Sequence, residues 1–133
     1  MKNLKLFCLI LTSIFFGCFG NRITFDKETQ ISKYGQPSKI EYFKLIDRQA
    51  FKHDSIPTFT IQNKTEINEA VEEIRNANSP EPWKGAGWDR IVLTYNDIII
   101  KINTNKKKIG RGASGSFYDL DKNNFITKRL NEK

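Results

Sequence analysis

The sequence predicts an α+β fold: an antiparallel sheet of about five strands with one amphipathic helix packed on one face, in the order ββαβββ(β). Two patterns predict it, because apolar residues recur with the helical period over 64–77 and alternate with polar residues over 90–103. The length of 133 residues suits one domain, and 38% hydrophobic and 12% aromatic content suffices for a core. This composition excludes a disordered chain, a coiled coil and a collagen-like repeat.

The first part of the chain is predicted to be a tether followed by a domain over 38–133. Residues 18–37 are polar, with isolated apolar residues and no sustained period, which is typical of a tether with room for a short edge strand at 22–25. The domain itself then begins with two apolar segments, over 39–46 and 58–62, that predict strands.

One amphipathic helix is predicted over 64–77. Asn63 and Glu66 have the spacing of a capping box at its start. The apolar stripe that it would bury consists of Ile67, Ala70, Val71, Ile74 and Ala77. The sequence Asn78-Ser79-Pro80 predicts that the helix ends there.

The remainder of the domain is predicted to be mostly strand. A Pro- and Gly-rich loop over 80–88 leads into a hairpin, whose strands over 90–95 and 98–103 meet at an Asn96-Asp97 turn. A second turn is expected over 105–108. One or two further strands are then expected over 116–120 and 124–130.

The amino terminus has the layout of a secretory signal peptide over 1–17. Lys2 and Lys5 precede an apolar stretch over 6–16, which is followed by the small residue Gly17. At the helical rise this stretch covers roughly 16 Å, about half of a bilayer's hydrocarbon core. We therefore expect a cleaved export signal and not a membrane span.

The end of this segment, Phe15-Phe16-Gly17-Cys18, resembles the lipobox of bacterial lipoproteins. The resemblance implies that a diacylglycerol is attached to Cys18 and that the chain is cut just before it. The mature protein would then be held on a membrane of the cell envelope by its N-terminal lipid. In the alternative interpretation, Cys18 and Gly20 form an ordinary small-residue cleavage site before Asn21, and the product is soluble, either periplasmic or secreted.

Few residues suit catalysis or metal binding. Cys8 and Cys18 are the only cysteines, so the rest of the chain cannot contain a disulfide scaffold, a zinc finger or a cysteine nucleophile. His53 is the only histidine, which excludes a His-pair metal site. Glu69 and Glu73 have the spacing of an acid/base pair, but an exposed helix face is the more usual role. We expect no catalytic residue, no metal and no cofactor.

The segment 110–118 looks like the glycine-rich loop of a protein kinase, and Lys128 within 125–130 looks like the phosphate-binding lysine of the strand that follows it. Only five residues follow Lys128 in this sequence, fewer than the catalytic and metal-binding loops of a kinase require. A dinucleotide-binding loop would instead open a helix. We therefore expect a hairpin loop in which glycines occupy positive-φ positions.

Two groups of residues are candidates for binding. Trp83 and Trp88 flank Lys84 in the loop over 80–88 and offer flat apolar faces to an envelope protein or a glycan. A basic patch of Lys106, Lys107, Lys108 and Arg111 suits anionic lipid headgroups or polyanionic sugars, although solvated turn lysines would look the same.

These observations predict a non-catalytic, exported, lipid-anchored envelope protein that serves as a small binding module. A soluble periplasmic glycan-contacting accessory protein and a small hydrolase are the alternatives. Nucleic acid is not an expected partner, because the chain carries an export signal and lacks an aromatic-interleaved RNA-binding motif. The pattern does not indicate an oligomeric state.

Overall fold

The structure, a computed structural model, describes residues 22–82, 87–112 and 115–132. Within these ranges the helices are α1 (Phe25–Thr29), α2 (Lys64–Asn76) and α3 (Phe125–Asn131), with a 3-10 turn at Ile31–Tyr34. The strands are β1 (Lys39–Phe43), β2 (Leu45–Asp47), β3 (Lys52–His53), β4 (Phe59–Ile61), β5 (Asn78–Pro82), β6 (Asp89–Thr94), β7 (Ile99–Thr104), β8 (Lys108–Gly110) and β9 (Ser116–Asp119).

Seven of these strands form one antiparallel sheet, in the order β4-β1-β6-β7-β8-β9-β5, and β2 and β3 pair separately. On the central strands Leu93 faces Ile40 on one side and Ile100 on the other, and all three are buried in one core with the apolar stripe of α2. The predicted α+β class and antiparallel sheet are confirmed. The sheet has seven strands and not the five or so predicted, and the described residues form three helices and not one.

The predicted helix and the predicted central hairpin are both present. The Asn63 side chain caps α2 by accepting the backbone N–H groups of Thr65 and Glu66, and the helix ends at Asn76. β6 and β7 pair in register from Asp89 opposite Thr104 to the turn at Asn96-Asp97. These two elements place the main apolar stripe of the helix on the main apolar face of the sheet.

The predicted strand over 39–46 is two strands, interrupted at Lys44. The chain leaves the main sheet after Phe43, and Leu45–Asp47 pairs with Lys52–His53 to form the separate β2–β3 hairpin. The reason is a side-chain acceptor, since the backbone N–H of Leu45 donates to Asp89 Oδ1 at 2.9 Å. This bond replaces a bond to a neighbouring strand and directs the chain away from the sheet.

The sequence pattern misses two short strands of the main sheet. β5 lies at an edge of the sheet, in residues predicted to begin the loop over 80–88. Its prolines, Pro80 and Pro82, are tolerated at an edge because a strand there needs only one hydrogen-bonded side. β8 contains three residues, which are too few to show an alternating pattern.

The predicted strand over 124–130 is a helix, α3. The Asn124 side chain accepts the N–H groups of Ile126 and Thr127 and so caps the helix. The apolar residues of so short a segment fit either period, and the cap decides between them. Lys128 consequently lies on a helix, and the resemblance to a kinase phosphate-binding strand is wrong.

The described part of the predicted tether belongs to the folded domain. Phe25 in α1 and Ile31 in the 3-10 turn are fully buried in the core. Phe25 donates its N–H to the Ala77 carbonyl at 2.8 Å, and its ring packs edge-on against Tyr118 with centroids 5.5 Å apart. Isolated apolar residues give no periodic signal, but each fills a space that distant strands create. The edge strand expected at 22–25 is reduced to one bridge between Thr24 and Asn78.

Because α1 packs in the core, removing the buried Phe25 ring should destabilise the whole domain. We expect Phe25→Ala to lower the free energy of unfolding by about 3 to 5 kcal/mol. The control is Ile23→Ala, two residues earlier at an exposed position, with an expected change within about 0.5 kcal/mol. Urea unfolding measures both. Equal, small effects would show that this segment is a tether after all.

Helices α2 and α3 are joined by two polar contacts. Glu73 Oε2 accepts the Phe125 N–H at the start of α3 at 2.7 Å, and Glu66 pairs with Arg129. Burial raises the pKa of the Glu73 carboxyl above its usual value, an effect that the hydrogen bond from Phe125 partly opposes. Ionised Glu73 is therefore a partly desolvated charge beneath α3.

A carboxyl group whose pKa is higher in the folded chain binds its proton more tightly there, so its ionisation destabilises the fold. Its stabilising contribution is complete below its unfolded pKa of about 4 and is lost as the pH rises through the raised value. Glu73→Gln keeps an acceptor for Phe125 without this loss. We expect the stability of the variant relative to wild type to increase from pH 4 toward neutral pH, as urea unfolding at each pH would measure. Asp97→Asn, at an exposed position in the β6–β7 turn, is the control. A pH-independent difference for Glu73→Gln would contradict the prediction.

Candidate functional site

The β2–β3 hairpin is shaped by two aspartates in its turns. Asp47 Oδ1 accepts the N–H groups of Gln49 at 2.9 Å and Ala50 at 3.1 Å, and Asp54 Oδ1 accepts that of Ile56 at 3.2 Å. This is the local turn chemistry that aspartate favours. Between them Phe51 has a φ of 51°, in the left-handed region that a bulky side chain rarely adopts. The turn therefore holds an aromatic residue in a strained conformation.

The base of the hairpin is tied to the core through Asp89. Oδ2 of Asp89 accepts the hydroxyl of the fully buried Tyr42, and Oδ1 accepts the N–H of Leu45. Burial, reinforced by the hydrogen bond to Asp89 and its negative charge, raises the pKa of Tyr42. One carboxylate thus satisfies a buried phenol and fixes the point at which the chain enters β2.

A second attachment joins the hairpin to the end of the tryptophan loop. Nε2 of His53 donates to the Trp88 carbonyl oxygen at 2.8 Å. Gly87 has a φ of 92°, and a Cβ atom there would lie 2.8 Å from Cγ of Arg48. The positive φ favours glycine at this position, and the absence of a side chain leaves room for that of Arg48. We term residues 44–56, with Gly87 and Trp88, the hairpin surface.

The hairpin surface lies at one end of the main sheet. β1 and β9 finish at this end, and β5 and β6 begin there. We term it the hairpin end. The β7–β8 turn is at the same end, since Thr104 pairs with Ile109 beside it, and so is Thr24, which bridges to Asn78.

Three large apolar side chains of the hairpin surface are exposed to solvent. Ile46 is 57% exposed, Phe51 61% and Ile56 71%. The residues described elsewhere in the chain contain only two comparable cases, Ile23 and Ile99. The hairpin also carries the exposed cations Lys44, Arg48 and Lys52. A short, fixed element therefore presents apolar and cationic groups together.

Of the predicted aromatic site, Trp88 is described, whereas Trp83 and Lys84 lie outside the described residues. Trp88 is half-buried, and its ring stacks on Phe117 of β9 with centroids 4.0 Å apart and planes at 23°. Phe117 is buried but does not belong to the core cluster beneath α2. One face of Trp88 therefore covers Phe117 and supports the hairpin surface.

The predicted basic patch is not one cluster. Lys106 and Lys107 are exposed in the β7–β8 turn, whereas Arg111 lies beyond the other end of β8. Lys108 contacts Asp119 at 2.6 Å and Glu81 at 3.2 Å, and the hydrogen bond to Asp119 raises its pKa. Two lysines of the predicted patch thus remain as exposed groups at the hairpin end.

The glycine-rich segment closes the β8–β9 hairpin, as predicted. Gly112 and Gly115 have φ values of 89° and 134°, which only glycine adopts without strain. Asn103 on β7 donates to the Gly112 carbonyl at 3.1 Å and holds the loop against the sheet. Ala113 and Ser114 lie outside the described residues.

The described residues assemble no metal site. No group of three or more histidine, cysteine, aspartate or glutamate side chains in this part of the chain could hold a metal ion. His53 donates to a backbone carbonyl and does not meet a carboxylate there. Among the helices of the described ranges, none has the length and apolar content needed to cross a membrane. The signal segment and Cys18 lie outside those ranges.

Sequence reasoning missed the hairpin surface, because it placed Ile46 at the end of the predicted strand over 39–46 and assigned no element to residues 47–57. Phe51 and Ile56 are isolated apolar residues in polar sequence, without a period. Such spacing gives no strand or helix signal. The available sign was that Phe51 and Ile56 are large apolar residues outside every predicted helix and strand.

Comparison of the chain with protein-family models, with curated proteins and with solved structures finds no match to any of them. The function is therefore inferred from the contacts and exposed groups described above.

The bond between Tyr42 and Asp89 can be tested with a matched tyrosine. Tyr95 is also buried, but its hydroxyl has no hydrogen-bond partner among the described residues. We expect Tyr42→Phe to lower the free energy of unfolding by about 1.5 to 3 kcal/mol, as for a bond to a charged group. Tyr95→Phe should change it by no more than about 0.5 kcal/mol, because it removes an unsatisfied group. Thermal and urea unfolding measure both, and equal losses would refute the role of Asp89.

Proposed function

We propose that this chain is an exported, lipid-anchored protein of the bacterial cell envelope that acts by binding, with the hairpin surface as its contact surface. The observation that carries the binding role is the exposure of Ile46, Phe51 and Ile56 on one hairpin that is fixed to the core. Exposed apolar side chains that group together are typical of interaction sites.

The shape of the hairpin supports this role. Phe51 combines two unfavourable features, an exposed ring and a left-handed backbone, and backbone strain of this kind clusters at functional sites. The bonds from Leu45 to Asp89 and from His53 to Trp88 hold the hairpin in place. A contact surface that is already ordered loses less conformational entropy on binding.

The N-terminal sequence supports export and anchoring. Lys2 and Lys5, the apolar stretch over 6–16 and Gly17-Cys18 follow the order of a lipoprotein signal. Removal of this segment would leave Cys18 as the first residue, with its sulfur bonded to lipid. The protein would then stay on the membrane without a spanning helix.

The anchor predicts a definite mass for the mature protein. We expect intact-mass spectrometry of the membrane fraction to find a chain that begins at Cys18 and carries acyl groups. Cys18→Ser removes the acceptor sulfur, so the variant should lose the acyl mass and most of its membrane retention. Ser13→Ala, within the apolar stretch, is the control and should be processed normally. A species that begins at Asn21 without acyl mass would support the soluble alternative and overturn the anchor.

A further inference from the structure

We propose that the hairpin end of the sheet rests on an anionic lipid surface, with Ile46, Phe51 and Ile56 among the acyl chains and cationic side chains against the headgroups. The inference rests on the proposed function, since it names the partner of the hairpin surface. It combines chain length, sheet register, apolar exposure and charge.

Chain length keeps the domain close to the membrane. Phe25 is a core residue and Thr24 bridges to β5, so the folded domain begins no later than Thr24. Thr24 lies six positions after Cys18, and a fully extended connection over six residue steps spans about 20 Å. An acylated Cys18 therefore holds the domain within about 20 Å of the bilayer, whatever path the intervening residues take.

Sheet register determines which part of the domain is near that anchor. Thr24 pairs with Asn78, the first residue of β5, and Asn78 faces Asp119, the last residue of β9. The hairpin surface follows β1 at the same end, because Leu45 bonds to Asp89 at the start of β6. The anchored segment and the exposed apolar side chains therefore emerge at one end of the sheet.

The hairpin and the β7–β8 turn carry charges that suit anionic headgroups. Exposed cations lie on the hairpin and on the β7–β8 turn: Lys44, Arg48, Lys52, Lys106 and Lys107. Asp47 and Asp54, the two acidic residues of the hairpin, each accept backbone N–H groups within their turns. Cations beside projecting apolar side chains are the combination by which peripheral proteins bind anionic bilayers.

A lipid surface fits the hairpin better than a protein partner does. Stable protein interfaces use about 20 to 30 residues on each side, whereas the exposed apolar groups belong to one short hairpin. Apolar side chains that enter a bilayer need no complementary pocket. The anchor also supplies the high local concentration that a small contact requires.

A fluorescent label at the hairpin tip tests the proposal in the mature, membrane-derived protein. Both native cysteines lie in the first eighteen residues, so Phe51→Cys supplies a site for a nitrobenzoxadiazole label. The control is Ile99→Cys, since Ile99 is 60% exposed but lies at the opposite end of the sheet, opposite Thr94. Intact mass confirms one label per chain and records the acyl groups.

In vesicles rich in phosphatidylglycerol, we expect the emission maximum of the label at position 51 to shift to shorter wavelength. We also expect its fluorescence to be protected from quenching by aqueous iodide. The label at position 99 should remain accessible. In vesicles of phosphatidylcholine alone, the shift at position 51 should be much smaller. Neutralising Lys44 and Lys52 with glutamine should lower the ratio of inserted to free hairpin on the order of 30-fold. The matched pair Lys101→Gln and Arg111→Gln, away from the hairpin, should leave it unchanged.

The possible outcomes distinguish the lipid contact of the hairpin from the acylation of Cys18. If the protein is acylated but the labels at 51 and 99 behave alike, the lipid contact is refuted and the anchor stands. If the chain lacks acyl groups while position 51 still inserts, the anchor fails and the lipid contact stands. Shielding of position 51 only after another protein is added would show a protein partner and overturn the proposal. Melting temperatures by circular dichroism confirm that each variant is folded.

Discussion

The carboxylate of Asp89 is the interaction on which the rest of the arrangement depends. Tyr42 is fully buried, and an unpaired hydroxyl there would be costly, so the core requires an acceptor at this position. Asp89 supplies it with one oxygen, and with the other it binds Leu45 as the chain leaves β1. The same residue begins β6. The central pair of strands and the origin of the hairpin are thus set by one side chain.

The hairpin and the tryptophan loop support each other around this point. The ring of Trp88 stacks on Phe117, and the backbone carbonyl of Trp88 accepts a hydrogen bond from His53. Gly87 permits the contact by leaving room for Arg48. The tryptophan that the sequence marks as a contact residue therefore packs on Phe117, and its role in binding stays a prediction. The exposed residues that it helps to position are on the neighbouring hairpin.

Anchoring and contact are consistent with one orientation of the domain. Because α1 is packed in the core, the sequence has no long tether between Cys18 and the sheet, and the domain cannot move far from an anchored residue. Thr24, the hairpin and the exposed lysines of the β7–β8 turn all lie at the hairpin end. Helix α2 covers the core face of the sheet.

The sequence by itself determined the elements whose signals are local: the capped helix α2, the β6–β7 hairpin and the positive-φ glycines of the β8–β9 loop. Only the tertiary structure decided that Phe25 is core, that β5 and β8 are strands, and that Ile46, Phe51 and Ile56 remain exposed. The physical reason is the distance along the chain over which each interaction acts. Periodicity and capping act within a few residues, whereas burial depends on segments far apart in the chain, such as Phe25 against Ala77 and Leu45 against Asp89. The hairpin surface consists of apolar residues for which the fold provides no covering partner among the described residues, and no local pattern records that.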